Sequence, residues 1–249
     1  MIHRSAPLSQ QVHTALRQSI ATGKFKPGER IVVEHVAEQL RVSPTPVREA
    51  LNRLLQAGLI SNGPGGKLQV VSLTPTYVTN TFFVRGALEG VAAELAAPRI
   101  QQQDISLLCE AMETADGAVT KNQYDIYTQA DQYLHRGVRD AAGNSVLSQE
   151  LRRLQVHVDF IRVYSRQHAG DHIRLSQQEH WRIVDALRSH DPQRARHLME
   201  DHIRGASQRI VKLIDFDAHE IHTTDAARDD EDGVREPIWL ASGKPVQEE

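Results

Sequence analysis

Apolar residues recur at helical spacing through Val32, Val36, Ala37 and Leu40, are interrupted at Arg41-Val42, and resume through Val47, Leu51, Leu54 and Leu55. This pattern predicts two short amphipathic helices sharing one small core around a tight turn, the layout of a helix-turn-helix. Ser43 stands where the second helix must start, with a hydroxyl able to accept from an orphan amide, and Pro44 brings a φ suited to the first helical position. Pro46 still falls in the first turn. With the apolar side turned inward, Thr45, Arg48 and Asn52 fall at i, i+3 and i+7 on the opposite face. Upstream, Leu8, Val12, Leu16 and Ile20, helped by Ala15, form a stripe that stops at Thr22-Gly23, with Gly23 as a left-handed cap. Downstream, Asn62-Gly63-Pro64-Gly65-Gly66 separates Leu59-Ile60 from the alternating Leu68-Gln69-Val70, which predicts a β-hairpin with Lys67 at its tip. These glycines do not read as a nucleotide loop, because no Lys-Ser/Thr pair follows and no helix starts there.

Beyond Thr74-Pro75-Thr76, which reads as a short linker, helical periodicity continues to about Leu213. Punctuation at Pro98, around Asn122, at Gly143-Asn144, near Gly170 and at Asp191-Pro192 divides it into about six helices, with Asn144 and Asp191 as N-caps. From Asp215 onward an acidic run with little periodicity predicts a disordered tail whose one apolar cluster is Ile238-Trp239-Leu240. The expected fold is mainly α: a winged helix-turn-helix over residues 1–74, an all-α bundle over 75–214, and the tail over 215–249.

Charge sharpens this division. Up to Leu73 nine basic residues stand against four acidic ones, whereas the whole chain carries a net charge of -3. A basic head on an acidic body has the sign that phosphate contacts require. The single cysteine, Cys109, excludes a disulfide framework, and no apolar run reaches membrane-spanning length. The N-terminal MIHRSAPLSQQ has no signal-peptide apolar region, so a cytoplasmic protein is expected.

Two constellations carry chemistry. On the predicted recognition helix an Arg offers a fork matching the two acceptors of a guanine edge, an Asn can pair with adenine, and Thr45 can hold a phosphate or a base. The same twenty residues also fit a structural helical hairpin with a solvated face. Further on, Asp131 and His135 stand at i and i+4, and His180 and His202 sit in other helical segments. Three imidazoles and one carboxylate suit zinc or another divalent transition metal. With 13 histidines in the chain, a surface Asp–His pair arising by chance is the competing reading, and the remaining histidines have no comparable pattern.

The segment VAEQLRVSPTPVREALNRLLQAGLI, preceded by GKFKPGERI, resembles the winged helix of GntR-family bacterial transcription regulators. By that resemblance Arg30, Thr45 and Arg48 occupy positions that touch DNA, and Gly65 and Gly66 match the wing tip; with Ser43, Asn52 and Lys67 they form the expected DNA-facing set. Pro44 stands where many family members carry an Arg, so the operator sequence does not carry over. FFVRGALEGVAAELAA, the Asp131 to Asn144 segment and EHWRIVDALRSHDPQRARHLMEDHI resemble the FCD ligand-binding domain of the FadR-like subgroup. The resemblance implies a divalent metal held by Asp131, His135, His180 and His202, zinc first, with nickel, manganese or iron as alternatives. It also implies a small carboxylate effector, with Arg85 as a second clamp or else a surface or structural arginine, a homodimer, and a palindromic double-stranded DNA operator under repression. Two other readings stay open: a metal-dependent hydrolase, which lacks a general base because Glu179 points away from its neighbour His180, and a purely structural zinc domain that dimerises the head.

Overall fold

A computed structural model describes residues 6–165 and 170–216; among them, nine α-helices and one two-stranded sheet fall into two compact units that part between Leu73 and Thr74. In the first unit, α1 (Leu8–Ala21), α2 (Val33–Leu40) and α3 (Pro44–Gln56) precede the strands β1 (Ile60–Asn62) and β2 (Leu68–Val70). Both α1 and α2 pack on α3, and Val12, Leu16, Ile20, Val36, Val47, Leu51 and Leu54 are buried between them. Leu8, expected to open the stripe, is 49% exposed, and Ser9 is buried instead. Helical side chains lean toward the N-terminus, so the first residue of α1 points past the end of the packed surface.

The hairpin pairs Ile60 with Val70 and Asn62 with Leu68 around a short 3-10 turn at Pro64–Gly66. Gly65 and Gly66 have φ of 69° and 73°, the left-handed region in which a Cβ is costly. A third stretch joins the sheet: Ile31 N–H donates to Leu68 O at 2.8 Å and Val70 N–H to Glu29 O at 2.9 Å. It sets Arg30 opposite Gln69 of β2, and it is too short for alternation to reveal.

Helix starts separate two kinds of cap. Thr74 Oγ1 accepts from Tyr77 N–H at 3.0 Å and opens α4 (Pro75–Ala96), so the expected linker is the beginning of a long helix. Asp191 Oδ1 accepts from Arg194 N–H at 3.0 Å in the same way, and Asn144 Oδ1 from Leu147 N–H at 3.0 Å. Ser43 occupies the N-cap of α3, but its hydroxyl makes no cap bond, contrary to expectation. The reason lies in the sequence: Pro44 and Pro46 take the first and third positions, and the third-position N–H that an N-cap oxygen normally receives does not exist.

The second unit continues with α5 (Gln102–Thr120), α6 (Tyr124–Ala141), α7 (Ser145–Ser165), α8 (Gly170–Arg188) and α9 (Pro192–Leu213), six helices counting α4. The central helix is α4: it packs along α9 and also touches α6 and α7, while α5 packs on α6 and α8. A Cβ built at Gly90 would lie 2.5 Å from Glu200 Cγ, and one at Gly86 3.4 Å from Ile203 Cγ2, so the absent side chains set how closely α4 and α9 approach. No helix among the described residues is long and apolar enough to cross a membrane. The predicted tail, with Ile238-Trp239-Leu240, lies outside the described residues apart from its first two.

The caps give a direct test. Thr74→Ala and Asp191→Ala are each expected to cost about 1 kcal/mol, whereas Ser43→Ala should cost only a few tenths, because it loses no hydrogen bond. Urea unfolding of the three variants measures this, and an equal loss at Ser43 would show that its hydroxyl has a cap role after all.

Candidate metal centre and nucleic-acid interface

In the first unit, α3 buries Val47, Ala50, Leu51 and Leu54 and leaves Thr45, Arg48 and Asn52 exposed on its opposite side. Ser43 precedes them, also exposed. Arg48 Nη2 lies 3.3 Å from Glu34 Oε1 of α2, an exposed pair of the kind that contributes little and exchanges readily. Arg30 and Lys67 are exposed beside the hairpin, and the space around Gly65 and Gly66 is open.

The second unit brings Asp131, His135, His180 and His202 together. They are buried, and one ligand atom from each lies within 4.8 Å of all the others. Residues Asp131 and His135 come from successive turns of α6, His180 from α8 and His202 from α9. His180 Nε2 is 3.2 Å from His202 Nε2 and 3.4 Å from Asp131 Oδ1, while His135 Nε2 is 3.6 Å from that oxygen. Ligand bonds of about 2.0–2.1 Å in a tetrahedron imply separations of about 3.4 Å, so these spacings fit one small cation.

Each ring is fixed from behind. His202 Nδ1–H donates to Glu179 at 2.8 Å, His180 Nδ1–H to the Gln177 side-chain oxygen at 3.4 Å, and His135 Nδ1–H to Glu89. Because these acceptors cannot donate, each neutral ring must carry its proton on Nδ1 and turn an Nε2 lone pair inward. Two such lone pairs then face each other across 3.2 Å, and His135 Nε2 is buried with no hydrogen bond at all. A site of this kind fits an electropositive centre.

The electrostatics agree at His180 and His202. Burial, then His202, holds His180 well below its ordinary value, and burial also lowers His202, so both rings stay neutral near pH 7. Burial raises Asp131, but Arg162, His135 and His180 overcome it and hold the carboxyl well below its usual range. Burial likewise raises Glu89, and Arg85 with His135 outweigh it, leaving the carboxyl at about 2. His135, pushed down by burial, is raised overall by Glu89 and Asp131.

Beside the cluster lies a cavity of about 40 Å³ whose walls include Asp131, His202, Arg85, Arg162, His172 and Ser176. Arg85 is buried with its Nε donating to Glu89 Oε1 at 2.6 Å, so it reaches the cluster through the carboxylate that fixes His135. Sequence reading missed Glu89, Gln177, Glu179, Arg162 and His172 as parts of this centre. The i, i+4 spacing of Arg85 and Glu89 and the i, i+3 spacing of Gln177 and His180 were available signals. Glu179, by contrast, serves a histidine on another helix, and Arg162 is 31 residues from the Asp131 it contacts.

Comparison with known proteins follows the two units. Residues 8–70 match the family described as bacterial regulatory proteins, gntR family, and residues 80–205 match the FCD domain. The chain is 26% identical over 212 residues, 85% of this chain and 92% of the other, to the HTH-type transcriptional repressor RspR of Escherichia coli. It is 30% identical over 201 residues, 79% of this chain and 85% of the other, to a probable D-xylose utilization operon transcriptional repressor of Paenarthrobacter nicotinovorans. The solved structure of E. coli McbR/YncC superposes with a TM-score of 0.66 at 25% identity, covering 84% of this chain and 98% of that one. These relatives are transcriptional regulators, so the hydrolase reading falls away. The basic winged head and the helical domain with its buried histidine centre thus make this chain a member of the gntR family of bacterial transcriptional regulators, with a C-terminal FCD domain.

Proposed function

We propose that this regulator is a cytoplasmic homodimeric repressor that reads a palindromic DNA operator and responds to a short carboxylate bound beside a divalent metal. The observation that carries the metal reading is the inward convergence of three Nε2 lone pairs on Asp131, with every Nδ1 already committed behind its ring. Asp131, His135, His180 and His202 would hold the ion, zinc first among the candidates. When bound, it supplies a positive centre that attracts an anionic ligand. The cavity beside Asp131 and His202 favours an effector site over a purely structural centre, and Arg85 and Arg162 give it the sign for a carboxylate.

On the head, Arg48 and Asn52 project where base edges can be read, Thr45 and Ser43 lie near the start of the same helix, and Arg30, Lys67 and the Gly65-Gly66 turn supply backbone contacts at the wing. Two heads on a two-fold axis would read two half-sites.

Arg48→Ala is expected to abolish specific operator binding, since a lost bidentate base contact costs about 1–3 kcal/mol, while metal content is unchanged. Lys67→Ala should weaken all DNA sequences alike and flatten the salt dependence. Gel-shift titrations across salt concentrations distinguish the two, and wild-type operator affinity in the Arg48 variant would remove α3 from the reading role.

For the metal centre, His180→Ala and His202→Ala should lower metal occupancy and erase the carboxylate response together. Glu179→Gln should weaken metal affinity by about 10–100-fold, through the orientation of His202. Elemental analysis reports occupancy, and calorimetry with a panel of carboxylates against metal-loaded and metal-stripped protein reports the response. Equal carboxylate binding in both forms would overturn the reading of the metal as receptor.

A further inference from the structure

Arg162 comes from α7, which supplies none of the four candidate ligands. Its Nη2 donates to Asp131 Oδ2 at 2.5 Å, and its Nη1 is buried without a hydrogen bond. A guanidinium does not shed its charge in a protein, so an unpartnered buried nitrogen on it is a standing cost that an anionic acceptor would remove. Arg85 is placed differently: its Nε is already held by the buried carboxylate of Glu89. Arg162, Asp131 and His202 line the same small cavity together with Thr128 and Ser176. Hydroxyls in the wall favour a ligand rich in oxygen, and a volume of about 40 Å³ favours a short one.

We propose that Arg162 is the receptor for an anionic oxygen of the effector, a short oxygen-rich carboxylate, and that it couples this anion to the metal centre by keeping hold of Asp131. This rests on the metal and effector reading given above. Asp131 touches both sides: Oδ1 faces the His180 and His135 Nε2 atoms at 3.4 and 3.6 Å, and Oδ2 receives Arg162. An anion beside Arg162 offsets part of the positive charge that Asp131 meets there, leaving more of its negative charge to a cation on Oδ1. By linkage, each of the two ligands then tightens the other by the same factor.

The test uses the full chain with zinc as the metal and malonate and propionate as probes of equal chain length. Calorimetry on zinc-loaded wild type should show malonate binding at least tenfold tighter than propionate, and competition with a chromophoric chelator should show zinc held more tightly when malonate is present. In Arg162→Gln, malonate affinity should fall about tenfold or more, as expected for a lost charge-assisted bond, and the effect of malonate on zinc should vanish while zinc still binds. Arg162→Lys, which keeps the charge and loses the fork, secures the result if the Gln variant fails to fold: it should retain zinc and bind malonate several-fold more weakly. Wild-type malonate affinity and coupling in a folded Arg162 variant would overturn this proposal alone. Failure of zinc-loaded wild type to bind either acid would overturn the effector reading and this proposal with it.

Discussion

The C-terminal domain is organised by the cost of burying imidazole. A buried polar ring that cannot hydrogen-bond is destabilising by an amount comparable to a whole helix cap or more, and here three rings are buried at one point. The fold meets that cost on the outer side of each ring, where Glu89, Gln177 and Glu179 receive the Nδ1 protons. It leaves the inner side unmet, with Nε2 lone pairs turned toward one another and toward an ionised Asp131. Five helices contribute to this arrangement, α4 and α7 through the Glu89 and Arg162 partners and α6, α8 and α9 through the cluster itself, so its geometry is also a statement of how they pack.

Much of this was legible in the chain because its signals are local. The 3.6-residue stripes located the helix-turn-helix, and Asn144 and Asp191 marked helix starts that the backbone uses. Asp131 and His135 could be paired because one helix face puts them a turn apart. What stayed hidden depends on contacts between distant segments. His180 and His202 are brought to that pair through α4 and α5, which pack on α6 and also on α9 and α8, a juxtaposition that spacing cannot express and that the likeness to known domains strengthened. Glu179 looked idle because it points away from its neighbour, yet it is the partner of a ring on the next helix. Ser43 shows the opposite error, a local rule defeated by a local exception, since a proline two residues into the helix removes the donor the cap was meant to receive.

The close approach of α4 and α9 through Gly86 and Gly90 ties together two parts of the centre. Glu89 lies on α4 and His202 on α9, and the two glycines let the Glu200 and Ile203 side chains of α9 lie against the backbone of α4. A densely packed interior is poor at continuous deformation. Helix α4, packed along α9 beside the centre, is also the helix that begins immediately after the first unit.

The paired prolines at the start of α3 have a consequence for how this head must hold a phosphate. Helix N-termini commonly bind phosphate oxygens with the free amides of their first turn. In α3 two of those amides are missing, at Pro44 and Pro46, and the residual ones belong to Thr45 and Val47. The end of the recognition helix is thus a stiff, amide-poor tip. On the proposed reading, anchoring to the sugar-phosphate chain then falls to side chains and to the wing, and the head's grip on DNA is more a matter of its cationic residues than of free amides at this helix end.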